Sequence, residues 1–230
     1  MIKTLIMPLV TNGPDIVFQQ NGTSYMMTCI CAINSVDISK FDEIYFVINH
    51  EVDRCLYIKE RIDIEMRQLS SSYHFIELHK MTSSPAETIY HALQLLKQIS
   101  SEGRSIFIKD GDNSFYIDYN GSLCDDIVVA SSLEKQTLVD PIHKSYMMTD
   151  KQGFITNCIE RRVISDKFIA GGYGFADAND FIIAYDNISE SLFESDDKHI
   201  YISDIIYWLM MNKDKRFMPV NAITFNDYNI

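Results

Sequence analysis

Basic residues are scarce in this chain: twenty lysines and arginines stand against thirty-two aspartates and glutamates, a formal charge of −12 over 230 residues. A field of that sign repels polyanions and argues against nucleic acid as a partner, while a small phosphate-bearing ligand stays compatible where a metal or a local basic cluster offsets the field. No run approaches the ~18 consecutive apolar residues a bilayer span requires, and Met1-Ile2-Lys3-Thr4-Leu5-Ile6 reads as a strand, not as a charged segment feeding a long apolar one. Membrane insertion and secretion are not expected, and a cytoplasmic location is. Five cysteines (Cys29, Cys31, Cys55, Cys124, Cys158) include no Cys-x-x-Cys pair, which points to reduced, buried thiols and away from a disulfide framework or a structural zinc. The six histidines form no ligand cluster, and no Ser-His-Asp or Cys-His arrangement can be read from the spacing. The segment Trp208-Leu-Met-Met211, with the one tryptophan, reads as core helix, although a dimer contact is an alternative.

What is present is an alternation. Leu5–Leu9, Glu43–Ile48, His74–Leu78 and Ser105–Ile108 are short apolar runs bounded by polar residues, each a buried strand. Between them Cys55, Ile58, Ile62, Met66 and Leu69, then Ile89, Leu93, Leu96 and Ile99, recur at helical steps of three and four. Strand alternating with helix predicts a parallel sheet covered on both faces. Ser84, Pro85 and Glu87 spell a capping box with proline at the first helical position. The second half is richer in strand (127–131, 145–149, 154–159, 168–174), with turns at 118–121 and 150–153. Two helices follow, one with Phe181, Ala184, Ile188 and Leu192 on a face and one over about Ser203–Met211. With no repeat, low-complexity tract or linker, residues 1–230 read as one α/β domain.

Two constellations carry chemistry. Ser105-Ile-Phe-Ile-Lys-Asp-Gly-Asp-Asn113 is a strand ending in two carboxylates one residue apart. Ligands gather at the carboxyl ends of such strands, and Asp110 and Asp112 suit a hard divalent cation bridging to phosphate; a polar turn is the alternative of similar weight. Glu160-Arg161-Arg162-Val-Ile-Ser-Asp166, with Lys167, concentrates positive charge, and arginine forks match phosphate; a solvated connector is the alternative. Gly171-Gly172-Tyr173-Gly174 lies in a strand, where glycine marks either close approach of a ligand or tight packing. The loop after the first strand holds Asn12-Gly13-Pro14 and Asn21-Gly22 but neither Gly-x-x-x-x-Gly-Lys nor Gly-x-Gly-x-x-Gly.

In order, five stretches resemble the sugar-phosphate nucleotidyltransferases, the glucose-1-phosphate thymidylyltransferase-like proteins of bacterial surface-polysaccharide biosynthesis. They are Phe41-Asp-Glu-Ile-Tyr-Phe-Val-Ile48; Thr82-Ser-Ser-Pro-Ala-Glu-Thr88; Ile106-Phe-Ile-Lys-Asp-Gly-Asp-Asn113; Lys144-Ser-Tyr-Met-Met-Thr-Asp-Lys-Gln-Gly153 with Ile159-Glu-Arg-Arg-Val-Ile-Ser-Asp166; and Gly171-Gly-Tyr-Gly-Phe175. The resemblance implies a Rossmann-like three-layer α/β/α domain with a mostly parallel central sheet. It also implies a magnesium-dependent reaction joining a nucleoside triphosphate to a sugar phosphate with release of pyrophosphate. It places Asp112 as the metal carboxylate with Asp110 beside it, Glu160 at the sugar, and Arg161 where the family has a phosphate-binding lysine. Gly172 falls where backbone passes the sugar, and Ser83, Ser84 and Glu87 fall where the base is recognised. Backbone N–H groups of Thr11, Asn12 and Gly13 are the donors left for the triphosphate.

Two departures bear on activity. The family's glycine-rich loop carries an arginine and then a Pro-Lys pair, whereas no Lys or Arg occurs here between Lys3 and Lys40. The family's second metal aspartate lies in a stretch with Gly-Thr that is missing here, and Asp227 is a poor substitute by position. The expected function is therefore nucleotidyl transfer. The alternatives are a degenerate homologue that binds nucleotide or a partner enzyme, and a glycosyltransferase using Asp110-Gly111-Asp112 as an Asp-x-Asp motif.

Overall fold

The computed structural model describes residues 1–10, 18–21, 24–67, 72–100, 102–135, 139–192 and 199–228. In chain order the elements are β1 (Ile2–Leu9), β2 (Phe18–Asn21), β3 (Ser24–Met27), α1 (Thr28–Ile33), β4 (Glu43–Asn49), α2 (His50–Leu56), α3 (Ile58–Met66), β5 (Tyr73–Leu78) and α4 (Pro85–Ile99). There follow β6 (Arg104–Lys109), β7 (Asn113–Tyr116), β8 (Ile127–Ser132), β9 (Ser145–Thr149), β10 (Ile155–Glu160), β11 (Lys167–Phe175), α5 (Ala178–Ser191), α6 (Ile202–Lys213), β12 (Met218–Asn221) and β13 (Thr224–Asp227).

The central sheet runs β10-β9-β11-β6-β1-β4-β5, with β8 on β11 and β12 on β8. The strands β6, β1, β4 and β5 are parallel, and β11 is antiparallel to β6, β8 and β9. Both faces are covered, as the unbroken apolar runs require. Along β1, Leu5, Met7 and Leu9 face one core with Ile30, Ile33, Ile58, Ile62 and Met66 of α1 and α3. Ile6 faces the other, with Ile89, Leu93, Phe181, Ile205 and Leu209 of α4, α5 and α6. The expected three-layer α/β/α class is the observed one.

Local chemistry explains most boundaries. Ser84 Oγ accepts from Glu87 N at 3.2 Å, and Glu87 Oε2 accepts in return from Ser83 N and Ser83 Oγ, each at 2.6 Å. The cap is reciprocal, as predicted, but the glutamate reaches one residue further back. Asp150 Oδ1 accepts from Gln152 N and Phe154 N, and Gly153 adopts φ +90°, closing the β9–β10 hairpin at the predicted turn.

The helix expected from Cys55 to Leu69 is a pair. Tyr57, at φ 54°, closes α2 through its N–H to Asp53 O at 2.7 Å, and Asp53 Oδ1 accepts from Lys59 N at 2.8 Å. Asp53 thus organises both sides of the break, and Cys55 is exposed on α2 instead of joining the buried stripe. Leu69 lies outside the described residues. In α6 the core side chains are Ile202, Ile205, Ile206 and Leu209, while Met211 is exposed. Among the described residues no helix is long and apolar enough to cross a membrane.

Candidate active site

The cleft forms where β6 ends and the chain turns through Asp110-Gly111-Asp112 into β7. It encloses about 290 Å³ and is lined by Pro8, Asp110, Asp112, Lys144, Glu160, Arg161 and Tyr173, among others. Its place at the carboxyl ends of β1 and β6 is the ligand position of open α/β sheets.

The Asp110 backbone N–H donates to Gly171 O at 2.9 Å, and its Oδ2 accepts from Tyr173 OH at 3.2 Å. Burial and then the Asp112 charge push its carboxyl up to about 7, against the opposing pull of Lys109 and the Tyr173 hydroxyl. The buried lysine Lys109 donates from Nζ to Asp110 O at 2.7 Å, Asn113 O at 2.8 Å and Asn113 Oδ1 at 2.7 Å. Asn113 Nδ2 in turn donates to Asp112 Oδ1 at 2.9 Å.

The carboxylate pair fits a hard cation that completes its shell with phosphate oxygens and water, because two ionised carboxylates side by side repel until a cation joins them. Among the described residues no group of three or more His, Cys, Asp or Glu is placed to hold a metal.

The opposite wall comes from the β9–β10 hairpin. Glu160, last in β10, accepts from the Ser145 hydroxyl and from Ser203 Oγ at 3.4 Å. Burial raises its carboxyl above the usual range, with Ser145 and Arg161 opposing. Arg161 follows at φ 54°; its N–H donates to Lys144 O at 2.9 Å and its guanidinium lies 5.6 Å from the Tyr201 ring centre. Lys144 is buried, with Nζ 2.6 Å from Asp227 Oδ2.

Of the residues singled out in the sequence, Asp110, Asp112, Glu160 and Arg161 meet in this one cleft. Arg162 is exposed and is not among the lining residues. Of the β11 glycines the one lining the cleft is Gly171, at φ +75°, where a Cβ would stand 2.2 Å from Asn113 Nδ2 and 2.8 Å from Asp110 Oδ2. Gly172 points into the core instead, where a Cβ would meet Val129, Phe107 and Phe115. Ser83, Ser84 and Glu87 bond one another in the α4 cap, and from that turn Pro85 lines the cleft. Thr11, Asn12 and Gly13 lie outside the described residues.

Sequence reasoning gave no role to Lys109, Asn113, Lys144 and Tyr173, and set Asp227 aside as a poor substitute for a metal aspartate. Asp227 reaches the site because β13 pairs with β7, setting Asp227 opposite Asn113, while Tyr228 N donates to Asp112 O at 2.9 Å. The signal in the sequence was the alternation at Ile223–Asp227, too short to separate from loop without its partner strand.

No protein-family model matches the chain, and no curated protein matches it. Solved structures do. A nucleoside-diphosphate-sugar pyrophosphorylase from Vibrio cholerae superposes with a TM-score of 0.76 at 16% identity, covering 100% of this chain and 96% of the other. An inositol-1-phosphate CTP transferase from T. maritima gives 0.65 at 14% identity, covering 98% and 89%. An apo UDP-glucose pyrophosphorylase gives 0.65 at 13% identity, covering 100% and 94%. These likenesses establish the nucleotidyltransferase fold.

Proposed function

We propose that the protein transfers a nucleotidyl group from a nucleoside triphosphate to a sugar phosphate or a similar phosphorylated metabolite, releasing pyrophosphate, in surface-polysaccharide biosynthesis. The observation that carries this reading is the convergence on one cleft of Asp110 and Asp112 at the end of β6 with Glu160 and Arg161 at the end of β10. The fold shared with the pyrophosphorylases and the CTP transferase supports it.

The acceptor is already an anion, so the chemistry needs positioning and charge stabilisation more than a general base. An acceptor phosphate oxygen attacks the α-phosphorus, the new O–P bond forms, and the bond to the β-phosphate breaks with its electron pair leaving on pyrophosphate. Arg161 presents its fork to the acceptor phosphate. Glu160, held by Ser145 and Ser203, accepts from acceptor hydroxyls. Asp110 and Asp112 would hold magnesium, which would supply charge stabilisation to the phosphates. The turn of Ser83, Ser84 and Glu87, which reaches the cleft through Pro85, is assigned to the base, and the backbone around Thr11–Gly13 to the triphosphate.

The test is pyrophosphate release by purified protein across five triphosphates, each paired with a panel of phosphorylated sugars and polyols. The expected result is magnesium-dependent release with one pairing, falling by about 10²-fold or more in Asp112→Ala. Silence across the panel, with a nucleotide still raising the melting temperature, would replace catalysis by nucleotide binding. The lack of Lys and Arg over residues 4–39 favours that second reading. Sugar transfer from a nucleotide sugar without pyrophosphate would replace both.

A further inference from the structure

A lysine with no exposed surface is an unusual neighbour for a carboxylate pair meant to hold a cation. Lys109 is 0% exposed, and its Nζ lies 4.8 Å from the Phe115 ring centre. Its positive charge opposes the binding of a second cation, so its presence needs a compensating role.

The hydrogen bonds supply one. Lys109 Nζ binds Asp110 O and Asn113 O, the two carbonyls that bracket the turn, and so fixes the span on which both carboxylates ride. It also binds Asn113 Oδ1. Because an ammonium only donates, this bond forces the amide to present its oxygen to Lys109 and its nitrogen to the other side, where Nδ2 donates to Asp112 Oδ1. Gly171 closes the arrangement: any Cβ there would collide with Asn113 Nδ2.

We infer that Lys109 and Asn113 form a two-step relay, ammonium to amide to carboxylate, that sets the plane of the Asp112 carboxylate for cation binding. Lys109 and Asn113 are positioning residues that act through Asp112. The inference rests on the reading of Asp112 as the cation-binding carboxylate.

Charge and position make opposite predictions for Lys109→Met. Removal of a buried positive charge beside Asp110 and Asp112 tightens cation binding if electrostatics alone matters. Loss of the relay weakens it, because the Asn113 amide can rotate and Asp112 loses its fixed donor. The experiment is a titration of the full chain with Mn2+ alone, followed by electron paramagnetic resonance, for wild type, Lys109→Met, Asn113→Leu, the double variant and Asp112→Ala.

The relay predicts that Lys109→Met and Asn113→Leu each weaken Mn2+ binding by about tenfold or more, as loss of an orienting partner commonly does, and that the double variant is no worse than either alone. Binding in Lys109→Met equal to or tighter than wild type overturns the relay, as do additive losses in the double variant. The double variant replaces both partners of one buried bond by apolar groups of similar shape, so it keeps the test open if Asn113→Leu alone leaves Lys109 too poorly satisfied to fold. Wild type that fails to bind Mn2+, or Asp112→Ala that binds it equally, removes the cation reading itself and the relay with it. Retained dependence on Asp112 with an indifferent Lys109→Met removes the relay only.

Discussion

Lys144 and Asp227 form an ion pair of 2.6 Å between side chains only 10% and 3% exposed. The pair ties the start of β9, on the acceptor wall, to β13, which is paired with the strand leading away from the carboxylate turn. A buried pair of this kind is costly to break from one side, because the survivor is left as an uncompensated charge.

Lys144→Met is therefore expected to lower unfolding free energy by about 3–5 kcal/mol, and Lys144→Met with Asp227→Leu to recover most of that loss. Urea denaturation of the two single variants and the double variant measures the coupling. Additive losses would mean that the contact does not hold the two walls together.

The carboxyl of Asp110, raised from 3.8 to about 7, makes stability depend on pH in a fixed sense. Between those values the folded protein keeps a proton that the unfolded chain has released, so unfolding free energy falls as pH rises through the window. Asp110→Asn should flatten the curve and be the more stable protein at pH 8, while magnesium should stabilise wild type more at pH 8 than at pH 5. Parallel pH curves for wild type and Asp110→Asn would show that the carboxyl titrates in its ordinary range.

The adjacent glycines of β11 should fail differently. Gly171→Ala meets both a left-handed backbone and the Asn113 amide, so it should cost about 1–3 kcal/mol and weaken cation binding. Gly172→Ala meets only the packed side chains of Val129, Phe107 and Phe115, so it should cost about 1–3 kcal/mol of stability with cation affinity retained. Equal loss of affinity in both would show that β11 moves as a whole.

Arg161 holds φ 54°, a conformation that glycine adopts without strain. Arg161→Gly should leave stability unchanged or raise it by about 0.5–1 kcal/mol. The same change should raise KM for the phosphorylated acceptor by about 10-fold or more, the loss of a charge-assisted fork, and leave KM for the nucleotide alone. A change in nucleotide KM instead would assign the guanidinium to the triphosphate.

Ser84→Ala separates cap from contact. Loss of the cap costs about 1 kcal/mol, seen in the melting temperature. Nucleotide KM should stay put if the hydroxyl serves only Glu87 N. A several-fold rise would put the hydroxyl on the base.

The parts of the molecule legible in the sequence are those whose signals are local. Each parallel strand is buried on both faces, so Leu5–Leu9 and Glu43–Ile48 appear as unbroken apolar runs, and Ser84-Pro85-x-Glu87 contains its own partners. Asp110 and Asp112 were singled out because they follow such a run and Glu160 and Arg161 because they follow the strand read at 154–159, and the four line one cleft. What was missed depends on pairing across long separations. The four-residue strands β12 and β13 are too short for their alternation to be told from loop, and Asp227 acquires meaning only against Asn113. Lys109 was read as part of an apolar strand, since its acceptors are a carbonyl and an amide that only the folded turn presents to it. Tyr57 broke the helical stripe because Asp53 supplies hydrogen bonds that outweigh the apolar spacing.

Strand β11 gives Gly172–Phe175 to β6, while it joins β9 through one residue pair, Phe168 with Tyr146. The β9–β10 ribbon is thus a tenant on the sheet, joined to β11 at a single rung and to the chain before β12 by the Ile155 N–H to Phe217 O bond of 2.9 Å. The carboxylate turn belongs to the landlord, the parallel block of β6, β1, β4 and β5. A chain built this way carries Glu160 and Arg161 on one structural unit and Asp110 and Asp112 on another, with the Lys144–Asp227 pair as the seam between them.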